Sequence, residues 1–180
     1  VKNRKQWYSL GERKIPPLLW MIAHNDRTAC FKNDRFLVGD NFFEIYPNAK
    51  EQIVNIFNSL NATYTTLLRE LYGRSNFGGG VLKTQKPDLT KFLVFNEFEE
   101  IDFDVHYRKT ESIFQECGID PESETPIEKQ EPKPLPDRKA LDDVVFDAIG
   151  LTEQERKDVY RAVCRLVWNR VSKAKSTKGK

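Results

Sequence analysis

The spacing of apolar residues changes character after Tyr46, and that change limits the fold more than any other feature of the sequence. Before it, apolar residues come in short runs of strand length: Leu18-Leu19-Trp20-Met21-Ile22, Thr28-Ala29-Cys30-Phe31, Phe36-Leu37-Val38 and Phe42-Phe43-Glu44-Ile45-Tyr46. Between them lie His24-Asn25-Asp26-Arg27, Lys32-Asn33-Asp34-Arg35 and Gly39-Asp40-Asn41, polar clusters that favour turns over continued extension. Pro16-Pro17 excludes a helix start ahead of the first run. Short strands joined by tight polar turns predict a small antiparallel meander.

From Asn48 the repeat is helical. Pro47 stops the last strand, Asn48 is placed to cap, and Glu51 stands where a capping box wants an acid. Ile53, Ile56, Phe57, Leu60, Tyr64, Leu67, Leu68 and Leu71 share one face. Asn61 and Thr63 interrupt that face, so one helix, or two meeting near Leu60-Asn61, fit equally until Gly73 ends the pattern. Asp88 to Phe95 reads as a short strand or turn, and Glu97 to Cys117 as helix. Gly118 to Pro136, acidic and rich in proline, reads as a linker or draped loop.

The C-terminal pattern is the sharpest. Leu141, Val144, Val145, Ala148 and Ile149 make an amphipathic helix that Gly150 ends. Thr152 with Glu155 forms a capping box for another, whose buried face is Val159, Tyr160, Val163, Leu166, Val167 and Val171. The expectation is an α+β fold: a small antiparallel sheet on the Asn48–Tyr72 helical segment, plus a C-terminal helical hairpin with a basic tail. It divides into a core over 1–95, an acidic, proline-containing connecting segment over 96–136, and the hairpin over 137–180.

Charge is segregated along the chain. Between Asn96 and Glu131 twelve acidic residues face three basic ones, an excess of nine negative charges, so with a total of +2 the remainder carries +11. Much of it lies at the ends, in Lys2, Arg4, Lys5, Arg13 and Lys14, then Arg170, Lys173, Lys175, Lys178 and Lys180. Basic surface kept apart from acidic surface suits a nucleic-acid binder, because Lys and Arg displace counterions condensed on phosphates. Solvated terminal tails are the plainer reading of the same lysines. No apolar run approaches the roughly 20 residues of a membrane helix. Three dispersed cysteines, Cys30, Cys117 and Cys164, fit buried cytoplasmic thiols better than a disulfide framework. Val1 at the start, with Met21 the only methionine, points to a fragment of a longer chain.

Catalytic motifs fail on inspection. The stretch Gly73-Arg74-Ser75-Asn76-Phe77-Gly78-Gly79-Gly80 is glycine-rich, but Leu82, not glycine, precedes Lys83-Thr84, so no phosphate-cradling P-loop forms. It also follows a helix rather than a strand, which excludes a dinucleotide fingerprint. His24 and His106 stand at no metal-ligand spacing, and Glu97 to Asp104 alternates with Phe98, Ile101 and Phe103 as a solvated face would. A flexible connector is the plain reading of the glycines. Arg74, Ser75, Asn76 and Lys83 nevertheless add donors suited to phosphates and base edges.

Trp7-Tyr8, Pro16-Pro17-Leu18-Leu19 and Asn41 to Pro47 look like the opening of a DNA target-recognition domain. Ser59-Leu60-Asn61-Ala62-Thr63 with Glu70-Leu71-Tyr72-Gly73-Arg74, continuing to Lys83, resembles a segment of N6-adenine DNA methylases with a TaqI-like specificity domain. Arg138 to Thr152 resembles the helical tail of those restriction-modification proteins. The resemblance implies S-adenosylmethionine-dependent methylation of adenine in duplex DNA, with the base flipped out. The sequence has neither the Asn/Asp-Pro-Pro-aromatic motif nor the Phe-x-Gly-x-Gly cofactor loop of that chemistry.

What the resemblance implies here is therefore target recognition without catalysis, with no cofactor in this chain and S-adenosylmethionine held by the parent's catalytic domain. Double-stranded DNA and that catalytic domain are the expected partners, and no membrane is involved. Arg27, Lys32, Arg35, Arg74 and Lys83 are the candidate phosphate contacts. Ser75 and Asn76 are candidate base or sugar contacts, with Gly78 and Gly79 allowing close approach. The rival reading is a non-catalytic module whose helical hairpin docks on a neighbouring domain.

Overall fold

A computed structural model describes residues 12–75, 78–95 and 111–178. The Trp7-Tyr8 pair, Asn76, the 96–110 stretch with His106, and the basic residues before position 12 lie outside them. The apolar runs become β1 (Leu18–Met21), β3 (Cys30–Lys32) and β4 (Phe42–Ile45), antiparallel in the order β3-β1-β4. β1 is thus central, whereas a meander would pair the strands in chain order. Beyond a bend at Ile22 the chain forms β2 (Ala23–His24), which pairs with β5 (Leu82–Lys83) in a separate ribbon.

Phe36-Leu37-Val38 is not a strand, and the reason is Asn33. Its amide donates to the carbonyls of Pro16 (2.7 Å) and Phe36 (2.9 Å), while its side-chain oxygen accepts the Phe36 N–H (3.0 Å). The backbone groups a strand would use are thereby engaged within a loop, and Phe36 and Leu37 are left exposed.

The helical stretch is two helices, α1 (Gln52–Asn61) and α2 (Thr63–Tyr72), divided at Ala62, whose ψ of 148° is extended. The expected Asn48–Glu51 capping box does not form: α1 starts later, with no side-chain cap. Both residues that interrupt the apolar stripe are buried and engaged. Asn61 accepts the Cys30 N–H (3.0 Å) and donates to the Cys30 carbonyl (3.1 Å), fastening α1 to β3. The Thr63 N–H (2.7 Å) and hydroxyl (2.6 Å) donate to Asp142 of α4 (Pro136–Ala148). Asp142 therefore caps α2 from a distant part of the chain, placing its carboxylate at the positive end of the helix dipole.

Two apolar cores result. One joins Leu18, Trp20, Cys30 and Phe43 of the sheet to Phe57 and Leu60 of α1, with Leu141 entering from α4. The other surrounds α5 (Glu153–Lys178) with Ile113, Phe114 and Cys117 of α3 (Ile113–Cys117), and with Ile119, Ile127 and Phe146. The segment Gly118 to Pro136 drapes over the helices: Ile119 and Ile127 are buried, and the Lys133 N–H reaches the Cys117 carbonyl (3.0 Å). A 3-10 helix, Ile127–Lys129, lies within it, and another, Lys86–Lys91, stands where a short strand or turn is expected.

The expected helical pair is present. Gly150 turns the chain at φ 72°, and Thr152 and Glu155 exchange the capping-box bonds at 2.8 and 3.4 Å. Phe146 and Tyr160 meet edge-on at 5.6 Å. The long side of α5 runs against α2. Cys30, Cys117 and Cys164 are buried free thiols.

Candidate nucleic-acid interface

The glycine-rich loop is closed at its neck by an antiparallel bridge. The Arg74 N–H donates to the Lys83 carbonyl and the Lys83 N–H to the Arg74 carbonyl, each at 2.9 Å. A pair that exchanges both bonds carries its side chains on one face, so both cations project from the same side of the neck. Ala23 of β2 lies beside Lys83. Arg74 and Ser75 are exposed and Lys83 is half-buried.

The three glycines do different work. Gly78, Gly79 and Gly80 have φ of 73°, 58° and 73°, in the left-handed region where a side chain is strained. A Cβ on Gly80 would come within 3.2 Å of the Val171 Cα and 3.3 Å of the Ala174 Cβ, so that glycine lets the loop rest on α5. Among the described residues nothing lies within 4 Å of the corresponding positions on Gly78 and Gly79.

Arg170 holds this arrangement from α5. Its Nη2 donates to Glu70 Oε1 (2.6 Å) and the Asn25 carbonyl (2.8 Å), its Nε donates to Glu70 Oε2 (3.1 Å), and its Nη1 donates to the Gly80 carbonyl. A single guanidinium therefore ties α2, the β2–β3 loop and the glycine loop to α5. Arg27 stands exposed in that β2–β3 loop. A cleft of about 450 Å³ opens between Ser75, Gly78 and Gly79 on one side and Asn169 and Lys173 of α5 on the other.

Behind the neck lies Arg69, fully buried. It donates to the Thr84 (3.0 Å) and Thr28 (2.6 Å) hydroxyls and to the Met21 (2.7 Å) and Ile22 (3.1 Å) carbonyls, with its guanidinium 4.6 Å from the Trp20 ring centroid. Burial pulls its pKa down to about 9, which leaves it charged at neutral pH. His24 is buried beside it, its Nδ1 donating to the Asn25 carbonyl (2.9 Å). Burial first, then the Arg69 charge, lower its pKa to about 2, so the ring is neutral.

The fold thus gathers Arg74, Ser75, Gly78, Gly79 and Lys83 at one loop, while Arg27 lies two positions beyond Asn25, whose carbonyl Arg170 holds. Lys32 and Arg35 are elsewhere: Lys32 pairs with Leu18 at the far end of β1, its Nζ 4.9 Å from the Phe57 ring centroid, and Arg35 pairs with Asp34 at 3.1 Å. The remaining candidate, Asn76, is outside the described residues.

Compared with known families, residues 1–120 match the C-terminal domain of the Type II methyltransferase M.Eco57I. The chain belongs to this family. No curated protein and no solved structure matches it. In this methyltransferase C-terminal domain the helices that follow residue 120, α4 and α5, are joined to the matched part through Asp142 and Arg170. No described helix is long and apolar enough to cross a membrane.

Sequence reasoning missed Arg69, Glu70, Asn169, Arg170 and Lys173 as parts or supports of the site. Glu70 and Arg170 are a hundred positions apart, and only co-variation among relatives could have paired them. Arg69 carried a weak signal: a cation flanked by Leu67, Leu68 and Leu71 has little room to be solvated.

Proposed function

We propose that this domain supplies sequence-specific DNA target recognition for an S-adenosylmethionine-dependent adenine-N6 methyltransferase of a restriction-modification system. The observation that carries the reading is the neck of the glycine loop, where Arg74 and Lys83 project together beside open Gly78 and Gly79. Guanidinium and ammonium groups neutralise phosphates, and a loop edge without Cβ atoms admits a sugar–phosphate backbone closely. Cofactor binding and methyl transfer belong to the parent's catalytic domain, a cytoplasmic partner with which this domain encloses the duplex.

A second reading, docking on a neighbouring domain, has support of its own. Residues 91–95 run beside α2, where Lys91 lies over the Tyr72 ring at 4.5 Å and Phe95 meets Tyr64 at 6.3 Å. Leu71, Tyr72, Leu93 and Val94 are exposed along that edge. Such a strip suits contact with the catalytic domain and does not compete with the loop for DNA.

Duplex binding measured by fluorescence anisotropy across a salt series tests the main reading. The chain should bind with a dissociation constant of about 10⁻⁴–10⁻⁶ M at physiological salt, and Arg74→Ala should lower the salt slope by about one unit. Absence of salt-dependent binding by the unaltered chain would refute the reading.

A further inference from the structure

We propose that the duplex lies on the outward face of the whole β2–β5 ribbon, so that β2 is a DNA-contacting strand and Ala23 a contact position in it. This rests on the reading of the loop neck as a DNA contact, and it extends that surface to a strand some fifty residues earlier in the chain than Arg74.

Backbone register makes the face continuous. Lys83 exchanges both hydrogen bonds with Arg74 on one side. On its other side it stands opposite Ala23, where the flanking bond runs from the Thr84 N–H to the Ile22 carbonyl at 3.0 Å. Residues directly opposite one another in antiparallel pairing point to the same face, so Arg74, Lys83 and Ala23 form one row across three chain segments. With neighbouring segments about 4.8 Å apart, the row is about 10 Å wide. His24 and Leu82, the next pair along, alternate to the other face and are buried. Gly73 lets the Arg74 segment close on β5, because a Cβ there would come within 2.9 Å of the Leu82 side chain.

The ribbon is also fixed in place from behind. Arg69 donates to the Met21 and Ile22 carbonyls ahead of β2 and to the Thr84 hydroxyl after β5. Beyond β2, the Asn25 carbonyl accepts from Arg170 and the Asp26 carbonyl accepts the Ile113 N–H at 2.7 Å. A surface held in this way has little freedom left to lose on binding. On its outer side no member of the row is acidic, and exposed Arg74 brings a guanidinium that stays charged at any physiological pH. Ala23 is exposed at the opposite end of the row and carries no charge. A charge placed there therefore reports contact with phosphates without removing an existing one.

The test uses the full chain and a random-sequence duplex, read by anisotropy between about 50 and about 200 mM salt. Ala23→Lys should steepen the salt slope by about 0.9, the value of one added phosphate contact, so its gain over the unaltered chain should be about 3.5 times larger at the low end. Ala23→Glu should weaken binding throughout, and Ala23→Gln should keep the unaltered slope. The control is Ala140→Lys, at an exposed alanine of α4 two positions from Asp142. Asp142 caps the N-terminus of α2, whereas the ribbon begins beyond its C-terminus, about 15 Å along the helix. Ala140→Lys should leave the slope unchanged. If Ala23→Lys matches the unaltered chain while Arg74→Ala lowers the slope, contact at β2 is refuted and the loop reading stands. An equal gain from Ala140→Lys refutes it too, as a general charge effect. If the unaltered chain shows no salt-dependent binding, both readings fall together.

Discussion

Replacing Asp142 tests how the C-terminal helices are joined to the rest. Its carboxylate is fully buried and accepts the Thr63 N–H at 2.7 Å and the Thr63 hydroxyl at 2.6 Å. Asp142→Ala leaves both donors buried without that acceptor, and each unsatisfied group costs about 1–3 kcal/mol. Arg138 limits the damage, because Glu116 still pairs with it at 3.0 Å. A loss of about 3–5 kcal/mol follows, a large part of the roughly 5–15 kcal/mol that stabilises a typical domain. For a chain of this size that lowers Tm by on the order of 10 °C. Asp142→Asn keeps an acceptor for the N–H and should cost about 1–2 kcal/mol. Urea unfolding of Asp142→Ala, Thr63→Ala and the double variant completes the cycle, where residues in contact should show a coupling of about 1 kcal/mol or more. A cost below about 1 kcal/mol for Asp142→Ala, or strict additivity, would refute trans-capping of α2.

Two further outcomes follow from burial and backbone geometry. His24 titrates near 6.5 when unfolded and about 2 when folded, so below pH 6.5 only the unfolded chain takes up the proton. Its contribution to stability should therefore shrink by about 1.4 kcal/mol for each pH unit below 6.5, until pH approaches the folded value. His24→Gln should show a correspondingly shallower pH dependence in urea melts, and parallel curves would exclude this account. At Gly118, φ is 61° and a Cβ would fall 2.0 Å from the Lys133 carbonyl oxygen, whereas Gly150 has φ of 72° with nothing within 4 Å among the described residues. Gly150→Ala should cost roughly 1–2 kcal/mol from the left-handed backbone alone, and Gly118→Ala clearly more. Equal thermal shifts would contradict the close approach.

The local elements were largely legible in the residues, because each rests on neighbours in sequence. The Thr152–Glu155 capping box, the turn at Gly150 and the apolar faces of the C-terminal helices depend on spacings of a few residues, which a helix repeats faithfully. Short apolar runs between polar turns likewise announced β1, β3 and β4. The glycine loop stood out as a candidate site because charged and glycine residues cluster there.

What the tertiary structure decided is which polar groups are satisfied, and by whom. Asn33 turned an apolar run into an exposed loop, and β4 then took the free edge of β1. Asn61 and Thr63, read as interruptions of a helix face, are fastenings to β3 and α4. Arg170 gives the glycine loop its place on α5 and makes a cleft of residues otherwise far apart in the chain. Lys32 and Arg35 fall outside that cleft although their residue type suits it: strand register places Lys32 opposite Leu18 at the other end of β1, and Arg35, beyond the end of β3, pairs with Asp34. A side chain's chemistry is written at its own position, but its partner is fixed by packing. Buried donors and acceptors must find partners wherever the fold brings them, and that requirement has no short period in the sequence.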